Sequence, residues 1–218
     1  MPTTHHRRPG RPAKPIERSK LLSLARKVFS DHGYTAASLS QIAGLAGLRK
    51  ASLYHHFPTK ESLYHEVLES EVRALRAIVV GAHADVTDFV EGLDAMGDRL
   101  IDHFARDPQS ARLLLREMVG IDNYAEGPGK KEVQATLDAI ASFLKAGMKA
   151  GVFRAQEAKQ LTMTIVGLHL YFFSATGLAG DFLGAEVFAP ATVRKRKAAV
   201  KEQVRALCLT ARALAKLG

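Results

Sequence analysis

"GYTAASLSQIAGLAGLRKASLYHHFPTKESL" spans Gly33–Leu63. Ser38 precedes a run in which Leu39, Ile42, Ala43 and Leu45 fall on one helical face. Gln41 stands three residues after Ser38, so the spacing predicts a reciprocal capping box. Gly47 breaks this helix almost at once. A second short helix follows, in which Leu53 and Phe57 are four residues apart and face inward together. Pro58 ends it, and Lys60 opens a long helix running to about Gly81. Two short helices around a glycine turn make a helix-turn-helix, a unit that lays its second helix in the major groove of DNA.

Upstream, Leu21, Leu22, Ala25, Val28 and Phe29 share one face of a helix that starts at Pro15, a residue suited to the first helical position. Gly33 is expected to end it as a left-handed C-terminal residue. This helix clamps the short pair, since helices so brief do not hold by themselves. Residues 1–14 hold Pro, Gly, Arg and His without apolar periodicity and read as a disordered basic arm.

Charge agrees with that reading. The net charge is +9, and residues 1–60 hold eleven of the 31 Lys and Arg but only two acids, Glu17 and Asp31. The remainder balances, so the whole excess sits in the first quarter. A localised positive field attracts a polyanion. On the second short helix, Lys50, Ala51, Ser52, Tyr54 and His55 are the candidates to face bases: Lys50 donates to guanine acceptors, and Ala51 permits close approach or meets a thymine methyl. Ser38, Ser40, Tyr54, His56 and Lys60 offer donors to phosphates, Lys60 beside the free N–H groups of a helix start. His55 and His56 point about 100° apart on a helix, with no third ligand near, so no metal site is predicted.

At this point the stretch Gly33–Leu63 resembles the DNA-binding signature of TetR-like bacterial transcriptional regulators, in its order Gly, Ile-Ala, Ala-Gly-Leu, Leu-Tyr, His-Phe, Lys, Leu. Members often have Ser or Thr where this chain has Arg49, so the usual cap of the reading helix is absent and Arg49 becomes a candidate contact to phosphate or base. The resemblance implies an all-α fold: a three-helix DNA-binding domain over residues 15–62 and a larger helical ligand-binding and dimerisation domain over 63–218. In the arm, "RRPGRPAK" (Arg7–Lys14) resembles the minor-groove core of AT-hook arms, with Pro9 where that core has Arg. Arg8 and Arg11 are the candidates there; an unspecific basic tail is the alternative.

Beyond residue 81 the pattern is helical throughout, with helices expected near 86–106, 109–122, 129–150, 156–179 and 190–216. Leu161–Gly180 carries no charged residue, yet polar side chains punctuate it, which favours a helix buried on more than one side over a membrane span. Val200, Val204, Leu207, Ala211 and Leu214 recur at spacings of four and three, a seam suited to bundle packing. The resemblance makes these the homodimer interface, two subunits then reading successive major grooves of one double-stranded operator.

The resemblance also implies a pocket for a small-molecule inducer. Its candidate lining is Phe89, Met96, Leu100, His103, Phe104, Met118, His169, Tyr171, Phe172 and Phe173. Arg112 and Arg116 stand one turn apart; Arg116 is the candidate to reach an anionic ligand, a solvated face being the plainer alternative. No metal-spaced His/Glu set, Gly-rich phosphate loop or nucleophile motif is present, so neither enzyme nor cofactor is predicted. Cys208 is the only cysteine and suits a reducing compartment, and the basic start lacks an apolar stretch; a cytoplasmic repressor is expected. A nucleoid or division factor on the same scaffold, without a small-molecule switch, is the alternative.

Overall fold

The computed structural model describes residues 16–84, 88–119 and 129–217. The arm, with Pro15, Arg8 and Arg11, lies outside the described residues. The chain is all-α: α1 (Arg18–Ala36), α2 (Leu39–Leu45), α3 (Lys50–His56), α4 (Lys60–Ala84), α5 (Phe89–Arg106), α6 (Pro108–Met118), α7 (Gly129–Lys149), α8 (Ala158–Ser174), α9 (Thr176–Leu183), α10 (Pro190–Cys208) and α11 (Ala211–Leu214).

Two buried clusters organise these helices. The N-terminal one gathers Leu21, Ala25, Val28 and Phe29 of α1 with Ile42, Leu53, Phe57, and Leu63, Tyr64, Val67 and Leu68 of α4. Leu53 and Phe57 are buried together, as their four-residue spacing predicts, and each such burial stabilises by about 1.5–3 kcal/mol. The C-terminal cluster runs from Val72 and Val79 through α5 to α10.

The clusters meet at α6. Leu113, fully buried, belongs to the N-terminal cluster, while Ala111 and Leu114 belong to the other. The Leu113-Leu114-Leu115 run therefore serves two cores from one helix. Asp107 caps its start by accepting from the Gln109 N–H, and Pro108 fits its first turn. Ser174 Oγ of α8 donates to the Ala111 carbonyl at 2.9 Å, holding α6 from the C-terminal side.

Several boundaries differ from the sequence expectation. Gly33 has positive φ (74°), but its ψ of 173° is extended, and hydrogen-bonded turns resume as far as Ala36. It makes a kink rather than a helix end. Ser38 Oγ accepts from the Ser40 N–H at 3.2 Å, while the Gln41 amide turns to His32 Nε2 at 3.1 Å. Ser38 caps α2 through the second helical N–H, and the reciprocal box with Gln41 does not form. The helix expected over 156–179 breaks at Ala175, where α9 leaves α8 at 80°. No single helix among the described residues is long and apolar enough to cross a membrane. The last helix stops at Cys208, because Leu209 adopts extended backbone and pairs with Phe153. Thr210 then caps α11.

Candidate nucleic-acid interface

α2 and α3 are joined by Ala46–Arg49. The turn closes through Leu48 N–H to Ala43 O at 2.9 Å and Gly47 N–H to Gly44 O at 3.1 Å. Gly47 takes φ +66°, a backbone state a side chain would oppose, so this residue fixes the angle between the two helices. Leu53 and Phe57 anchor α3 from beneath. Its opposite face is bare: Arg49, Lys50, Ala51, Tyr54 and His55 are exposed, and Ser52 and His56 are half-buried. Arg49 takes the N-cap position with extended backbone and no side-chain cap, leaving its guanidinium to reach outward. Lys50 Nζ lies 5.9 Å from the Tyr54 ring centre, so the two present one cationic and aromatic edge. Ser38 and Ser40 are also exposed, although Ser38 Oγ already serves as the cap of α2.

Lys60, expected to point at phosphate, is half-committed to the protein. Its ammonium donates to the Thr35 carbonyl at 3.0 Å and stands 4.6 Å from the Tyr34 ring centre. An ammonium has three donors, so Lys60 joins the kinked end of α1 to the start of α4 while keeping charge at the surface. Arg18 does similar work: it pairs with Glu66, Nε to Oε1 at 2.6 Å, and its guanidinium lies 4.3 Å from the Phe57 ring centre. The carboxylate raises its pKa further.

The N-terminal unit is fastened to the rest by buried polar groups that the sequence reading missed. The Tyr64 hydroxyl donates to Glu117, a carboxylate 4% exposed on α6. Arg26 of α1 pairs with Glu71 of α4 and, at 2.5 Å, with Asp107 at the head of α6. Arg116 lies against Gly33, and a Cβ there would stand 2.1 Å from its guanidinium. Arg112 reaches Asp31 at 3.4 Å. Arg112 and Arg116 thus serve the junction rather than an interior ligand. The available signal was Glu117 one turn beyond Leu113 and Leu114 on the buried face of α6.

Among the described residues, the expected pocket lining is spread over the C-terminal core, the junction and the surface. Met96, Leu100, Phe104 and Phe173 are packed in the C-terminal core, with Phe104 and Phe173 centroids 6.1 Å apart. Phe172 touches Phe173 edge-on and carries the Arg196 guanidinium 4.5 Å from its ring centre. Phe89 sits elsewhere, with Phe143 and Phe153. Met118 and Tyr171 are exposed. His103 belongs to the junction, 3.1 Å from Ser110 Oγ and 3.9 Å from Glu71. Burial lowers its pKa, against the pull of the Glu71 and Asp107 carboxylates. His169 is buried, and its Nδ1–H donates to the Ile165 carbonyl at 2.7 Å. Its Nε2 has no hydrogen-bond partner among the described residues and borders a cavity of only about 10 Å³ that Met96 also lines, near the lower limit for one water.

The dimer seam is likewise redistributed. Val200 and Val204 are 1% and 5% exposed within this chain's own core, so they offer nothing to a partner. Leu207 is half-buried against that core, and Ala211 and Leu214 fall on α11, beyond the break. Leu214 is exposed, and α8 and α9 expose further apolar side chains: Met163, Tyr171, Leu178, Phe182 and Leu183. Cys208 is buried, and its thiol pKa is pushed up to about 11 by that burial, which makes it unreactive.

Comparison with known proteins decides the family. Residues 21–67 match the model of bacterial regulatory proteins of the tetR family, and residues 90–204 match the tetracyclin repressor-like C-terminal domain. The chain belongs to the tetR family. It is a DNA-binding transcription regulator of the bacterial helix-turn-helix type. The HTH-type transcriptional activator FasR of Mycolicibacterium smegmatis is 32% identical over 167 residues, covering 77% of this chain and 74% of FasR. Two solved structures share the fold. KstR2 of Mycobacterium tuberculosis, a ketosteroid transcriptional regulator, has a TM-score of 0.71 at 19% identity, covering 88% of this chain and 95% of that one. AibR, solved with isovaleryl coenzyme A and operator DNA, has a TM-score of 0.68 at 17% identity, covering 85% and 96%.

Proposed function

We propose that this regulator is a homodimeric repressor. It binds a two-fold symmetric operator through α3 and is released when a small molecule occupies its C-terminal domain. The observation that carries this reading is α6, whose Leu113 fills the DNA-binding core while Ala111 and Leu114 fill the other. A rearrangement of the C-terminal helices then displaces a member of the N-terminal core. A ligand that prefers one packing shifts operator affinity by that preference, and operator shifts ligand affinity equally. The exposed α8 and α9 side chains support pairing of two copies, which sets two α3 helices about 34 Å apart in successive major grooves. Arg8 and Arg11 extend the contact into the minor groove, and the protein works in the cytoplasm, beside the chromosome.

AibR, with isovaleryl coenzyme A and operator DNA in one complex, supports acyl-coenzyme A thioesters as the first ligand class to test. Selection of bound duplexes from a random pool should return a two-fold symmetric site, and titrating short acyl thioesters should release it. Recovery of many unrelated sites, insensitive to ligand, would point to a nucleoid-type binder instead.

A further inference from the structure

We propose that Arg18 is a positioning residue of the DNA reader, fixing the tilt of α3 without touching DNA itself. The proposal rests on α3 being the element that enters the major groove, and goes past that reading to what aims it.

α3 is seven residues long, so it spans about 10 Å. A swing of about 10° moves its far end by about 2 Å, more than a hydrogen bond to a base edge tolerates. Leu53 and Phe57 are buried beneath it. Apolar burial is non-directional, so it sets how deep the helix sits and holds its direction only weakly. The Gly47 turn fixes the first end. The second end needs a tether of its own, because the last carbonyls of a helix have no partner within it.

Arg18 supplies that tether from the first turn of α1. One edge of its guanidinium grips Glu66 of α4: Nε donates to Oε1 at 2.6 Å, and Nη2 donates to Oε2. The remaining nitrogen, Nη1, donates at 3.3 Å to the carbonyl of His56, the last residue of α3. The same group lies over the Phe57 ring, 4.3 Å from its centre. One planar cation therefore ties α1, the end of α3 and α4 together. A guanidinium has the rigid fork for this and an ammonium does not.

Charge points the same way. The Arg18 side chain is 50% exposed, and a free cation there would be drawn to phosphate. The Glu66 carboxylate neutralises it and occupies one edge of the fork, a grip that a phosphate would have to break. Isolated surface ion pairs contribute little, but this one is bidentate and shares its cation with a carbonyl and a ring.

The test uses the full chain, the operator duplex recovered by selection from a random pool, and a scrambled duplex of the same composition. The readout is the ratio of the two Kd values and its salt dependence. Arg18→Lys keeps the charge and loses the fork. It should lower the discrimination by about tenfold, the size of one spoiled base contact, with affinity for the scrambled duplex within about twofold of wild type. Arg18→Gln should lower discrimination likewise and leave the salt slope unchanged. Circular dichroism melts report whether these variants fold. Glu66→Gln keeps the shape and weakens the grip, so it should lower discrimination in the same direction and carries the test if the Arg18 variants unfold. Full discrimination in folded Arg18→Lys or in Glu66→Gln overturns the proposal, because charge or shape alone would then suffice. A salt slope flattened by about one in Arg18→Gln overturns it too, by marking Arg18 as a phosphate contact. If Lys50→Ala and Tyr54→Ala leave discrimination unchanged, α3 is not the reader; that reading fails, and the proposal with it.

Discussion

Tyr64 on α4 is hydrogen-bonded through its hydroxyl to the buried carboxylate of Glu117 on α6. The bond joins the helix that follows the DNA reader to the helix that enters both cores. A buried carboxylate that loses a donor bears the desolvation cost, about 1–3 kcal/mol. Tyr64→Phe should destabilise the chain by that amount in urea unfolding, with secondary structure unchanged. Under the proposed mechanism it should also weaken the coupling between ligand and operator, read as a smaller shift of operator Kd at saturating ligand.

Gly33 combines φ +74° with extended ψ, a region that side chains rarely enter. Arg116 also occupies the space a Cβ would take. Gly33→Ala should cost about 1–3 kcal/mol from the backbone alone, and more with the clash. Adding Arg116→Ala should restore the steric part but not the backbone part, so thermal melts of the double variant should recover incompletely.

The exposed edge of α3 sets the DNA predictions. Lys50→Ala and Tyr54→Ala should each weaken operator binding by about 1–3 kcal/mol where a base contact is lost. Lys60→Ala should weaken all duplexes alike and flatten the salt dependence by about one. Because Lys60 also bonds the Thr35 carbonyl, the same variant should lose some stability. Titrations at several salt concentrations separate these outcomes.

Burial lowers the pKa of both His103 and His169. The unfolded chain, with histidines near their ordinary value of about 6.5, therefore takes up protons first as pH falls. Stability from these groups is complete above that value and declines until the folded-state pKa is passed, by no more than about 1.4 kcal/mol per pH unit for each. His169 has a clear structural cause. A carbonyl only accepts, so Nδ1 holds the proton, and charging Nε2 places a second donor where the described residues offer no acceptor. His169→Asn, whose amide can still donate to the Ile165 carbonyl, should reduce the loss in urea midpoint between pH 7.5 and 5.5.

The reader was legible because its signals are local. Gly47 names its own turn, and Leu53 and Phe57 declare a face by spacing alone. The C-terminal differences share one cause. Periodicity shows which side of a helix is apolar but not which neighbour covers it. Val200 and Val204 formed a convincing seam, and their own chain covers it. The aromatic residues suggested a pocket, and Phe89, Phe104, Phe172 and Phe173 all pack in or against the C-terminal core. The break at Leu209 depends on pairing with Phe153, far away in sequence, and no local residue announces it. Glu117 and Tyr64 find each other across 53 positions, a relationship that only the folded chain reveals.

The double allegiance of α6 bears on how such regulators are recombined. A chimaera cut between residues 62 and 63 would sever Leu63, Tyr64, Val67 and Leu68 from the hydrophobic nucleus they complete, and would leave Leu113 behind. A transplanted reader would meet a foreign sensor with a hole where that leucine stood. Functional hybrids therefore need the α6 surface of the donor grafted into the recipient. The modular unit of this protein is a discontinuous one.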